Sequence, residues 1–347
     1  MYLNRRNALK LGGASLLAAS LPGLTFGNND EIIIGHNSHQ YRVNTNWGML
    51  EAGKNPVNNC HELVEDSQGR IILLTDETKN NVLIYSKKGK LLESWGTSYP
   101  GAHGLTIGGQ GKDQFLLIAD NSRHQVIKTD LRGNVIFKIE YPKETGEYLH
   151  PGQFVPTETA IDPVNGDIYV VDGYGLNFVM VYDQNGKFLR YFGGKGEENE
   201  HFRCNHGILF DQRKGKEDEI LITSRQDNCW KKFNRQGTYL GAIEMPGSFI
   251  CRPVQQGDNL YGAVYRSGSE ANEFSGFIQV VDKDDKVISS PGGSEPVYSN
   301  GKLEEQAKDD PANVFMHPHD VYVDSDENIY VAQWASKKTY PIKLERV

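Results

Sequence analysis

Apolar runs of four to six residues recur along most of the chain, many closed by an aspartate and followed by a segment in which apolar and polar positions alternate. Ile71-Ile72-Leu73-Leu74-Thr75-Asp76, Phe115-Leu116-Leu117-Ile118-Ala119-Asp120 and Ile168-Tyr169-Val170-Val171-Asp172 are of the first kind; Asn81-Val82-Leu83-Ile84-Tyr85 and Gln125-Val126-Ile127-Lys128 are of the second. A short, continuous apolar run bounded by turn residues reads as a strand buried on both faces, and an alternating one as a strand with one face in water. Turns such as Asp66-Ser67-Gln68-Gly69 and Lys88-Gly89 separate the runs, so hairpin follows hairpin. The pattern is periodic: equivalent positions fall at 61, 103, 158, 206, 252 and 319, in steps of 42, 55, 48, 46 and 67 residues. A unit of roughly 40–50 residues holding four short strands is a propeller blade. The chain therefore predicts an all-β, six-bladed β-propeller. The two longest steps carry polar insertions, Lys143 to Gln153 and about 290–313, expected as loops between blades. The last copy supplies only three strands, ending at Pro341-Ile342-Lys343-Leu344, and the stretch Gln40 to Gly48 is expected to add the fourth, closing the ring and covering an edge. A β-sandwich with an extra sheet is the bland alternative, and it leaves the repeat unexplained.

Composition agrees with this reading and narrows function mainly by exclusion. With 37 Gly, 17 Tyr and 14 Phe the chain is rich in turn and strand formers, and 347 residues fit one closed β domain. A net charge of −8 argues against a nucleic-acid footprint or a polybasic membrane surface. Four cysteines are too few for a disulfide scaffold. The long uncharged apolar stretch lies in the first 27 residues, where Arg5-Arg6 precede Leu11 to Leu21 and the helix-breaking Pro22. This resembles a twin-arginine export signal. Residues 1–27 are therefore expected to engage the twin-arginine machinery, leaving 28–347 as a periplasmic or secreted propeller, monomeric and without a stable membrane span; an uncleaved anchor is the alternative.

Of ten histidines, four sit where an inner strand begins: His61, His103, His206 and His319. Inner strands of a propeller surround one channel, so equivalent positions converge although they are far apart in sequence. Three neutral imidazoles facing a common point with one coordination position open are the standard arrangement of a catalytic zinc. A lone histidine is more often a hydrogen-bonded core residue, but four at one repeat position favour a metal.

Several stretches make a family resemblance specific: His103-Gly104-Leu105-Thr106-Ile107, Phe154-Val155-Pro156-Thr157-Glu158, Val171-Asp172-Gly173-Tyr174, Asn205-His206-Gly207 and Met316-His317-Pro318-His319-Asp320. Over about residues 57–347 the chain resembles the NHL-type propeller of the peptidyl-α-hydroxyglycine α-amidating lyases (peptidylamidoglycolate lyases). That resemblance implies a zinc-dependent carbon–nitrogen lyase releasing an amide and glyoxylate from an α-hydroxyglycine-like amide, or acting on a related hydroxylated small molecule or peptide. It also implies His103, His206 and His319 as zinc ligands, Tyr174 as the base and Arg225 as an assisting arginine. Asp320, with the main-chain oxygens of Leu105 and Leu63, would hold a structural calcium.

Three departures accompany the resemblance. The family's second arginine, at the end of a first-repeat strand, is replaced by Thr75-Asp76-Glu77, which reverses the local charge. Arg252 and Arg266 are the candidates to approach the channel instead, and His61 is an extra channel residue available to metal or substrate. The family's disulfides are not reproduced; Cys204 can pair with Cys229 or Cys251, or all are buried thiols. The competing function is a non-catalytic NHL propeller that presents loops to a protein or glycan partner.

Overall fold

A computed structural model of the chain describes residues 31–268 and 273–347. The expected export signal at 1–27 lies outside the described residues. From residue 32 onward the strands form six antiparallel blades, as the repeat predicts. The first four blades are Cys60–Glu65 to Leu91–Trp95, Ala102–Gly108 to Val135–Ile139, Glu158–Ile161 to Phe188–Gly193 and Ile208–Phe210 to Tyr239–Glu244. The fifth runs from Ser248–Ile250 to Val287–Ser289. The sixth takes Pro318–Val323, Ile329–Gln333 and Ile342–Arg346 from the C-terminal end, and its outer strand is His39–Asn44, with Tyr41 opposite Arg346 and Val43 opposite Leu344. A further strand, Ile33–His36, extends this sheet. The closure expected from the N-terminal segment is thus present, two strands deep.

The periodic motifs have local causes. In the Asp-x-x-Gly turn, Asp66 Oδ1 accepts the amides of Gln68 and Arg70 at 2.9 and 3.0 Å while Gly69 turns at φ 74°, a conformation a side chain disfavours. Asp130 with Gly133 and Asp183 with Gly186 repeat it. The second strand of each blade is buried on both faces, which explains its unbroken apolar run; Ile71, Ile72, Leu73 and Leu74 are all fully buried. Each such side chain contributes roughly 1.5–3 kcal/mol on burial. The aspartates that end these strands tie down the neighbouring loops. Asp120 Oδ1 accepts the amides of Gly101, Ser122 and Arg123, and Asp172 accepts those of Val155 and Leu176 together with the Tyr148 hydroxyl. Of the two insertions, the first forms short 3₁₀ turns at Lys143–Thr145 and Pro151–Gln153, and the second a small hairpin, Tyr298–Ser299 with Lys302–Leu303. No helix among the described residues is long and apolar enough to cross a membrane.

Candidate functional site

Each of the four register-matched histidines sits at the start of an inner strand or just before one, and their rings meet on the axis. Ring centroids lie 4.7 Å apart for His61 and His103, 4.8 Å for His103 with both His206 and His319, and 4.9 Å for His319 with both His61 and His206. Glycine follows two of them for a steric reason. A Cβ on Gly104 would stand 2.6 Å from the Thr157 carbonyl oxygen, and one on Gly207 2.3 Å from Arg252 Cβ, so neighbouring inner strands close up only over glycine.

Hydrogen bonding fixes two tautomers. The Nδ1 of His103 lies 2.8 Å from the Thr157 carbonyl and that of His319 lies 3.1 Å from the His61 carbonyl. A carbonyl only accepts, so both Nδ1 atoms carry the proton and both Nε2 atoms turn a lone pair to the common point. His61 Nδ1 and His206 Nδ1 are buried without a protein partner. Burial, then the crowding of the rings and Arg225, holds His103, His206 and His319 well below the usual histidine range, so they are neutral.

Tyr174 Oη stands 3.0 Å from His206 Nε2, 3.2 Å from His103 Nε2 and 3.4 Å from Arg225 Nη1. The hydroxyl thus sits between two ring nitrogens and a guanidinium, beside the point to which His103 and His319 turn their lone pairs. Tyr174 is 44% exposed and lines a cavity, while its hydroxyl reaches the ring nitrogens. Burial pushes its pKa up to about 12, against the pull of Arg225. The loop that carries it is pinned at Asp172, and Gly173 packs where a Cβ would meet the Asn205 carbonyl at 2.4 Å. Arg225 opens a 3₁₀ turn, Arg225–Asp227, and its guanidinium also reaches Cys251 Sγ at 3.2 Å and covers the Tyr265 ring.

These groups open on a cavity of about 840 Å³ whose walls include His61, Asp76, His103, Tyr174, Arg225, His319, Lys195, Arg203 and Trp334. Asp76, which stands where the family resemblance called for an arginine, lies 3.8 Å from His61. Burial alone would raise its carboxyl, but the nearby His61 and hydrogen bonds from Asn58 and Asn59 outweigh this and hold it at about 2. Of the two candidate arginines Arg252 reaches the channel axis, but neither lines the cavity that holds Tyr174. Arg266 stacks on Phe249 at 4.2 Å, and Arg252 turns along the axis to Asp320. All four cysteines are free thiols, so the suggested Cys204 pairings do not form.

The donor set fits a metal ion. His61, His103 and His319 bring ligand atoms within 4.8 Å of one another; His206 packs against this group with its ring centroid 4.8 Å from that of His103. The expected calcium ligands do not fit a calcium ion. Asp320 and the Leu63 carbonyl bond the Arg252 guanidinium at 2.7–3.0 Å, and the Leu105 carbonyl bonds it at 3.3 Å. Sequence reasoning missed two buried acids beside this arginine, Glu62 and Glu158. The signal was an ionisable residue inside an apolar strand.

No family model matches the chain. It is 24% identical over 346 residues to peptidyl-glycine alpha-amidating monooxygenase B of Xenopus laevis, covering 92% of this chain and 33% of the relative. It is 25% identical over 201 residues to the probable peptidyl-alpha-hydroxyglycine alpha-amidating lyase of Caenorhabditis elegans, 56% of this chain and 50% of the relative. The chain is a distant homologue of the amidating enzymes. It spans only about a third of the frog protein's length and half of the nematode protein's. A solved gluconolactonase from Xanthomonas campestris superposes with a TM-score of 0.59 at 12% identity, over 92% of this chain and 95% of that one, a likeness of fold alone.

Proposed function

We propose that the protein is an exported, zinc-dependent carbon–nitrogen lyase that cleaves an α-hydroxyglycine-like amide, or a closely related carbinolamide, to an amide and glyoxylate. The observation that carries this reading is the placement of Tyr174 Oη within 3.4 Å of His103, His206 and Arg225 on one open cavity. The distant homology to amidating enzymes supports it.

His103, His206 and His319 would hold the metal, with His61 beside them. A zinc ion held there would supply Lewis acidity, making a hydroxyl of the substrate acidic near neutral pH. Tyr174 would first release its own proton to solvent, which a metal ion beside Arg225 would favour; as the phenolate its Oη takes the hydroxyl proton, a C=O bond forms as the C–N bond breaks, and the proton ends on the departing amide nitrogen. Arg225 stabilises the phenolate form of Tyr174 and offers a planar donor pair to the substrate carboxylate. Lys195 and Arg203 line the same cavity and add positive potential. The ionised Asp76 adds the opposite sign beside His61, so a substrate is oriented with its carboxylate toward Arg225 and a donor group toward Asp76.

The test is metal analysis of the purified chain combined with turnover of a model α-hydroxyglycine peptide. About one zinc per chain and release of glyoxylate are expected. A chain that carries no stoichiometric zinc, and releases no glyoxylate when zinc is added, overturns the reading.

A further inference from the structure

Beside the histidines along the inner strands lies a second axial cluster, of opposite chemistry. Six oxygen atoms face the Arg252 guanidinium. Asp320 Oδ1 and Oδ2 stand at 2.7 and 2.9 Å, the carbonyls of Leu63 and Leu105 at 3.0 and 3.3 Å, and Glu62 Oε2 and Glu158 Oε2 at 3.6 and 3.7 Å. The three carboxylates are buried. These groups come from blades one, two, three and six, the arginine from blade five, and blade four contributes the bare backbone of Gly207 against which Arg252 packs. All six blades therefore meet on one side chain. The sequence arranges this by breaking the inner strand of blade five: Ser248–Ile250 and Val254–Gln256 flank Cys251-Arg252-Pro253, and proline has no amide to continue the ladder. The interruption lets Arg252 leave the sheet and enter the axis.

Six oxygens around one point are a calcium-like inventory, but the point is filled by a cation that belongs to the chain, and a second cation beside it would be repelled. The guanidinium also closes the channel. It lines a separate cavity of about 490 Å³, bounded by Thr106, Thr159 and Tyr322 among others, which shares no wall residue with the cavity that holds Tyr174.

We propose that Arg252 is the resident axial cation of this propeller: it stands where a divalent ion would otherwise be needed, ties the six blades together and makes the fold independent of calcium. The proposal does not depend on the lyase reading. It predicts that removing the guanidinium uncovers a divalent-cation site in the same oxygen cage.

The experiment is calcium analysis and thermal unfolding of the full chain in EGTA and in millimolar calcium, for wild type, Arg252→Lys and Arg252→Ala. Wild type is expected to hold less than about 0.1 calcium per chain and to keep its Tm within about 1 °C in both conditions, and Arg252→Lys, which retains a positive charge, to be equally insensitive. Arg252→Ala is expected to lose roughly 5–10 °C in EGTA, because it leaves buried carboxylates uncompensated, and to recover most of it in calcium, with terbium emission saturating near one equivalent. A wild type that holds one calcium and loses stability in EGTA overturns the proposal, as does calcium dependence in Arg252→Lys. So does an Arg252→Ala protein that folds and responds to neither ion. Should Arg252→Ala fail to fold in both conditions, wild type and Arg252→Lys decide.

Discussion

Along the same inner strands, His61 is followed by Glu62 and His319 by Asp320, so the channel carries a ring of imidazoles and, one residue on, a cage of oxygens. The cage holds its own cation: Arg252 answers Asp320 with two hydrogen bonds and adds two carbonyls. The histidine ring does not. The lone pairs of His103 and His319 turn to a common point beside the Tyr174 hydroxyl, and the ring opens on a large cavity. Buried polar groups are costly unless matched. A propeller axis can thus carry its own cation in one layer while the adjoining layer turns acceptor nitrogens toward a cavity. Converging donors beside a cavity are the physical mark of a reactive site.

The largest break in this contrast is removal of ring donors. His206→Ala with His319→Ala is expected to abolish stoichiometric metal and glyoxylate release, since two of the converging nitrogens are lost; metal content by mass spectrometry and an initial-rate assay check it, and zinc retention at wild-type level would refute the ring as the metal site. Tyr174→Phe separates chemistry from binding. It removes only the hydroxyl, so metal content is expected to stay while kcat falls about 10²–10⁴-fold, the usual contribution of a positioned base. A variant with wild-type kcat would take Tyr174 out of the proton step.

In the cage the matching experiment is Asp320→Ala, which removes the two shortest hydrogen bonds of a buried guanidinium. A loss of about 3–5 kcal/mol in denaturant unfolding is expected. Because Asp320 adjoins His319, the metal content of the folded fraction should be read alongside. Stability within about 1 kcal/mol of wild type would mean that the oxygens do not act as a cage.

How much of this was legible in the sequence differs between the two layers. The blades are readable because several turns repeat one chemistry, Asp66 with Gly69 and Asp130 with Gly133, and because Gln40 to Gly48 reads as a strand without a partner. The four histidines were readable because a common register in a propeller means a common point in space. The cage was not. In the sequence Arg252 is a candidate stand-in for the missing first-repeat arginine, but its direction depends on a strand broken at Pro253 and on room left by Gly207, neither of which periodicity reveals. Arg266 lies close by in sequence, yet it stacks on Phe249 instead. Cysteine pairing failed for a similar reason: shared strand entries bring Cys204 and Cys251 to neighbouring blades, but sulfur–sulfur contact depends on side-chain direction, and the Cys251 thiol faces Arg225.

The smallest effect, and the one that sets the two layers directly against each other, is pH. In the metal-free protein three ring histidines are depressed, so below about pH 6.5 the unfolded chain binds protons that the folded one refuses, and stability falls with pH. The slope is at most about 4 kcal/mol per pH unit for three protons, since each contributes about 1.4. The cage acids behave oppositely. Burial raises Glu62, Glu158 and Asp320, so the folded state holds protons that the unfolded state has released, and their contribution grows as pH falls toward the ordinary carboxylate range. Thermal unfolding of EDTA-treated protein between pH 7.5 and 5.5 should therefore show a decline that His206→Gln flattens by up to about 1.4 kcal/mol per pH unit. Glu62→Gln, which removes one opposing acid, should steepen it. If both substitutions moved the slope in the same direction, the two layers would not be titrating against each other.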